Sequence, residues 1–211
     1  VERFSIPGRA GKLEAILDAP ERPPAAAVLL CHPLPPGGGT MHTHAVFRAM
    51  RALRGHGAAV LRFNFRGVGQ SEGRWDEGPG EMEDGLTALQ DLRVRFPNSA
   101  LVSGGFSFGS WVGMNAGVTQ GARALLGLGV PFTSYDYSEV ARSDLPKALV
   151  HAERDEFTSL AVLERGLADW NAPVRLWTVK GASHLFTEAL DAYEVAVGEA
   201  AAWLMEHLDL G

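Results

Sequence analysis

The chain has 211 residues, carries a formal charge of −6, and is 46% hydrophobic and 21% charged, a balance that suits one folded domain spanning residues 1–211. Its lysines and arginines are scattered and form no basic run, which argues against nucleic acid or an anionic membrane as partner. The lone cysteine, Cys31, excludes an internal disulfide. No apolar stretch reaches the roughly 18 residues of a membrane span, and the first residues lack a basic segment followed by an apolar one. A reducing cytoplasm is the expected compartment.

In chain order, the first 20 residues read as a hairpin turning at Gly8 to Gly11. Ala25 to His32 is a continuous apolar run, as expected of a strand covered on both faces, and a Pro/Gly loop, PLPPGGGT, follows it. Val46, Phe47, Met50 and Leu53 then share one helical face, with Arg48, Arg51 and Arg54 largely opposite and glycines 55 and 57 as the stop. Ala58 to Phe65 is the second inner strand. Met82, Leu86, Leu89 and Leu92 mark a helix whose first turn holds Glu81, Glu83 and Asp84, near the positive end of its dipole.

The alternation continues with strand ALVSGG, helix FGSWVGMNAGV and strand ALLGLGV, then an irregular excursion from Pro131 to Pro146. Strand KALVHA, a helix over Ser159 to Trp170, strand VRLWTV and a closing helix from about Glu188 to Leu208 complete the chain. This order predicts an α/β fold with a doubly wound, mostly parallel sheet, an N-terminal antiparallel hairpin and no large cap domain.

The pattern G-x-S-x-G occurs twice, as GFSFG around Ser107 and as GQSEG around Ser71. A nucleophilic serine of this type needs a strand ending just before it, a helix starting just after it, and small neighbours that tolerate a sharp turn. Ser107 meets each condition. Ser71 lies several residues beyond its strand, and RWDEGPG after it does not start a helix.

A serine hydroxyl needs a base, and the base needs a carboxylate to orient it. Of the histidines after Ser107, His207 belongs to the last helix and His151 to a strand, whereas His184 lies in a Gly/Ala/Ser loop ahead of the closing helix. Asp155, just past strand KALVHA, is the favoured acid, with Glu153 and Glu156 as close rivals and Asp136 as a distant one. For an oxyanion hole, one donor is the amide of Phe108. Pro33, Pro35 and Pro36 have no N–H, so Leu34 is the better second donor, with the following glycines as fallback.

With these parts in place, the chain resembles the α/β-hydrolase superfamily over nearly its full length, and within it the small, nearly capless bacterial hydrolases related to the dienelactone hydrolase group. The segments HPLPPGGGTMH, LRFNFRGVGQSEG, GFSFG, HAERDEF and GASHLF carry the likeness. It implies hydrolysis of a small-molecule ester by Ser107, Asp155 and His184, without a cofactor, and it puts GQSEG near the site without supplying the nucleophile. Dienelactone hydrolases proper use a cysteine nucleophile, so their substrate does not carry over.

The short excursion leaves an open cleft, expected to be flanked by Phe106, Phe108, Phe132 and Tyr135 and to take short acyl chains; plain core filling is the alternative role for these aromatics. A thioesterase, lactonase or peptidase would use the same triad, and an idle binding scaffold would share its shape. His42 and His44 are two apart with no third ligand in view, so no metal site is expected.

Overall fold

The computed structural model describes residues 1–208, so the last three residues of the expected 1–211 domain lie outside the described residues. Eight strands form one sheet: β1 (Glu2–Gly8), β2 (Gly11–Asp18), β3 (Ala26–Cys31), β4 (Ala59–Phe63), β5 (Ala100–Phe106), β6 (Ala124–Leu128), β7 (Lys147–Ala152) and β8 (Val174–Val179). Their order across the sheet is β1-β2-β4-β3-β5-β6-β7-β8. The hairpin β1–β2 is antiparallel and joins β4 antiparallel, while every pair from β4 to β8 is parallel.

Among the described residues five α-helices connect these strands, α1 (His44–Gly55), α2 (Pro79–Arg95), α3 (Phe108–Thr119), α4 (Ser138–Arg142) and α5 (Leu160–Leu167), and α6 (Leu190–His207) follows the last strand. Several sequence boundaries move: the strands expected over 58–65 and 124–130 and the helix expected over 159–170 are shorter, and two further changes lie near the site. The irregular excursion contains the five-residue α4, too short for its periodicity to show in sequence. The closing helix starts at Leu190 because residues 183–189 fold into turns around His184.

Alternation along each inner strand splits the core into two layers. Val28 and Leu30 face α1 and α6, whereas Ala27, Leu29 and Cys31 face α2 and α3. Because both faces are covered, every residue of β3, β4 and β7 is buried; β3 is apolar throughout, while Arg62 of β4 pairs with Asp18 and Lys147 of β7 donates to the Ser143, Leu145 and Asn171 carbonyls. The arginine face of α1 is not simply solvated: Arg48 pairs with Asp191 and Glu194 of α6 at 2.7 Å each, and Arg51 reaches Glu194 at 3.3 Å.

Parallel strands end on the same side, so the loops after β3, β5, β7 and β8 converge at the carboxyl edge of the sheet. Among the described residues, no helix is long and apolar enough to cross a membrane.

Candidate active site

Strand β5 passes into α3 through Ser107 alone. Ser107 has φ +54° and ψ −126°, a conformation L-residues rarely adopt and one that costs about 1–3 kcal/mol. The surroundings enforce it. Its N–H donates to the Leu128 carbonyl at 2.8 Å, and its carbonyl accepts from both the N–H and the hydroxyl of Ser110, at 2.8 and 2.7 Å. Ser110 Oγ in turn takes the hydroxyl proton of Tyr137 at 2.9 Å. Burial pushes the Tyr137 phenol well above its ordinary value, so it remains a donor at all working pH values.

The flanking glycines serve packing. A Cβ on Gly109 would overlap the carbonyls of Cys31 and His32, and one on Gly105 would overlap the Cys31 carbonyl and Gly109 itself. The helix therefore starts against the end of β3, which brings the loop after β3 next to Ser107.

The hydroxyl of Ser107 is 2.8 Å from Nε2 of His184, and Nδ1 of His184 is 2.7 Å from Oδ2 of Asp155. A carboxylate only accepts, so Nδ1 carries the proton and Nε2 is left to accept from Ser107. Asp155 is buried, and burial raises the pKa of a carboxyl; the hydrogen bond and charge of His184, with the Thr158 N–H, outweigh that and hold it below the ordinary value. Its second oxygen accepts the Phe157 and Thr158 amides at 2.9 and 3.0 Å.

The rival acids have other attachments. Glu153 accepts the Gly181 N–H at 2.8 Å, and Glu156 accepts the backbone N–H of His184 at 3.1 Å. With Arg154 N–H donating to the Ala182 carbonyl at 2.9 Å, the loop after β7 grips the loop after β8 along its length. Asp136 is elsewhere, accepting the Ser138 N–H.

His151 lies beneath this line, fully buried, with Nε2–H donating to the Thr158 carbonyl at 2.7 Å and its pKa lowered by burial. It is therefore a neutral support for the turn that carries Asp155. His207 is exposed on α6, with a ring nitrogen against the Trp203 carbonyl.

On the opposite side, residues 35–37 form a single 3-10 turn after Leu34. All three fallback glycines are engaged there: the N–H groups of Gly37 and Gly39 donate to the Leu34 carbonyl, and that of Gly38 donates to Pro35. The Leu34 N–H has no acceptor among the described residues, and neither does that of Phe108, the first residue of α3. His32 anchors this loop. Its Nδ1–H donates to the Pro33 carbonyl at 2.7 Å, while Nε2 accepts the Phe65 N–H at 3.1 Å. Burial drives its pKa down to about 4 despite the bond to Pro33, so the ring is a neutral strut between the segment just after β4 and the loop.

An open cleft of about 560 Å³ lies over Ser107, with Leu34, Tyr135, Glu156, Phe157 and Leu185 among its lining. Tyr135 is braced by stacking on Trp111 at 5.0 Å, and Phe157 packs edge-on to His184 at 4.6 Å. Two expected walls are corrected. Phe106 is 0% exposed, because alternation along β5 turns it into the core, where it stacks against His184 from behind. Phe132 turns away from the cleft to pack on Tyr137 and Trp170. Phe108 contributes to the lining, although its ring is buried among Phe65, Trp75 and Tyr135.

The sequence reading missed His32, Ser110, Tyr137 and the gripping role of Glu153 and Glu156. A histidine ending a buried strand was a signal for the first; nothing local marked the others. Among the described residues, no group of three or more His, Cys, Asp or Glu is placed to hold a metal. Cys31 is buried, and burial raises its thiol pKa, so it is no rival nucleophile.

A parallel sheet with a serine on a strained strand-to-helix turn, facing histidine and aspartate loops, defines a hydrolase of the α/β type without a lid. Residues 24–194 match the family described as alpha/beta hydrolase domain, and the chain belongs to that family. An uncharacterized protein of Rickettsia prowazekii is 30% identical over 91% of this chain and 85% of its own. Among solved structures, an alpha-beta serine hydrolase homologue from Coxiella burnetii is 29% identical with a TM-score of 0.88, covering 94% of this chain and 96% of its own. An α/β serine hydrolase without lid from Xanthomonas campestris is 29% identical with a TM-score of 0.89, covering 96% and 94%.

Proposed function

We propose that this hydrolase cleaves carboxylic esters of small or short-chain acids through an acyl-enzyme on Ser107. His184 takes the hydroxyl proton as Ser107 Oγ attacks the ester carbonyl, and Asp155 holds the imidazole in the tautomer that can accept it. The amides of Phe108 and Leu34 donate to the oxygen as it becomes negative, helped by the N-terminus of α3. His184 then protonates the leaving alcohol, and water repeats the sequence to release the acid.

The observation that carries this reading is the hydrogen-bonded line from Ser107 through His184 to Asp155, at 2.8 and 2.7 Å, beneath an open cleft. The restriction to short acyl groups rests on that cleft, since no lid extends its apolar wall. The test is hydrolysis of a series of 4-nitrophenyl esters by the parent and by Ser107→Ala. Turnover that favours short chains and vanishes in the variant supports the proposal; equal turnover by the two proteins contradicts it. Thioesters and aminoacyl amides in the same series separate ester cleavage from the other reactions this triad performs.

A further inference from the structure

The lining of the cleft is unbalanced in charge. Around Ser107 it comprises prolines, glycines, hydroxyls, aromatic and aliphatic side chains, His184 and one acid, Glu156, and among the described residues no lysine or arginine lines it. Glu156 is exposed at the mouth of the cleft. Its position is fixed rather than floppy, because Oε2 accepts the His184 backbone N–H at 3.1 Å. The amides of Phe108 and Leu34 are assigned above to the reacting carbonyl oxygen, and among the described residues the lining holds no cationic side chain to neutralise a second negative group on a substrate. The net charge of −6 adds to the same bias in the approach of charged molecules.

We propose that Glu156 sets the charge preference of the cleft, selecting neutral and cationic acyl chains and rejecting those that end in a carboxylate. This rests on the esterase reading above and specifies its substrate class. A carboxylate on the distal end of a bound chain would lose hydration in a cleft with no cation to replace it, and would face the Glu156 charge. An ammonium in the same place would be attracted.

The test uses three 4-nitrophenyl esters of matched length: hexanoate, the half-ester of adipate, and 6-aminohexanoate. The readout is the ratio of kcat/KM values within each protein, so any effect of substitution on the common machinery cancels. For the parent, hexanoate is expected to exceed adipate by about tenfold at low salt. In Glu156→Gln, whose amide oxygen can still accept the His184 N–H, that ratio falls by about fivefold, and the relative rate of 6-aminohexanoate falls as well. The parent alone gives a second readout: 0.5 M NaCl should shrink its ratio, since screening weakens charge selection. A ratio equal in the two proteins, a salt-insensitive ratio in the parent, or a parent that prefers the adipate half-ester overturns the proposal. Absence of Ser107-dependent turnover of all three esters overturns the esterase reading and this inference with it.

Discussion

The two G-x-S-x-G segments have opposite internal mechanics. In GFSFG the serine itself is strained, at φ +54°, and the glycines are needed because backbone passes too close for a Cβ. In GQSEG the left-handed positions are taken by glycines, Gly69 at φ +57° and Gly73 at φ +87°, which adopt them without strain, and the serine is ordinary. Ser71 is 8% exposed, donates its hydroxyl proton to the Asn64 carbonyl at 2.6 Å, and accepts the Glu14 N–H at 2.9 Å. Among the described residues no histidine hydrogen-bonds to it. Glu72 accepts the Lys12 N–H, and the neighbouring Arg66–Asp84 pair is buried, with Arg66 Nη2 at 2.8 Å from the carboxylate. One motif holds a hydroxyl out to a base; the other spends its hydroxyl tying a loop to the edge hairpin. The pattern alone does not distinguish them, whereas the residue that takes the left-handed conformation, serine in one and glycine in the other, does.

Substitutions at the two serines break this comparison most sharply. Ser107→Ala should lower kcat by on the order of 10⁶-fold by analogy with other triads, with little change in melting temperature. Ser71→Ala should do the reverse, costing about 1–3 kcal/mol of stability by leaving buried backbone groups unpaired. Ester turnover and thermal unfolding of both variants separate the two outcomes.

The acids give the next largest effect. Asp155→Asn should reduce kcat about 10⁴-fold, because an amide can favour the wrong imidazole tautomer. Glu153→Gln keeps an acceptor for the Gly181 N–H and should change kcat by less than about tenfold. The measurement is kcat for the same ester in each variant.

Stability against pH supplies a smaller effect. The Asp155 pKa is lower in the folded chain than in the unfolded one, so its contribution is complete above the ordinary aspartate value and is lost as acid titrates the folded carboxylate. The stability gap between the parent and Asp155→Asn should therefore hold above pH about 4 and close below it, read from denaturant unfolding at a series of pH values. The smallest effect is expected at the support of the elbow. Tyr137→Phe removes the donor to Ser110 and should cost about 1 kcal/mol, with a modest loss in kcat.

Much of this was legible in the sequence, for a physical reason. Strands covered on both faces are mostly apolar, so the parallel core of the sheet stood out, and the candidates Ser107, Asp155 and His184 were sought in loops at its carboxyl edge. Elimination of proline nitrogens pointed to Leu34, and the three glycine amides that follow it all have backbone acceptors. Side-chain direction was less accessible. Phe106 and Phe132 lie next to the site in sequence, but strand alternation and packing on Trp170 turn them away.

The acids opening α2 show the same limit. They suited the helix dipole, yet Glu81 accepts the Asp76 and Gly78 amides and Asp84 binds Arg66. Such contacts join segments distant in sequence or fold back on a turn, and periodicity carries no trace of them.

The difference between the two serines can be read most directly by covalent labelling. The parent, treated with a fluorophosphonate and digested, should yield a single adduct on the peptide containing Ser107, and Ser107→Ala should yield none. An adduct on Ser71, or labelling of Ser107→Ala equal to that of the parent, would contradict the account.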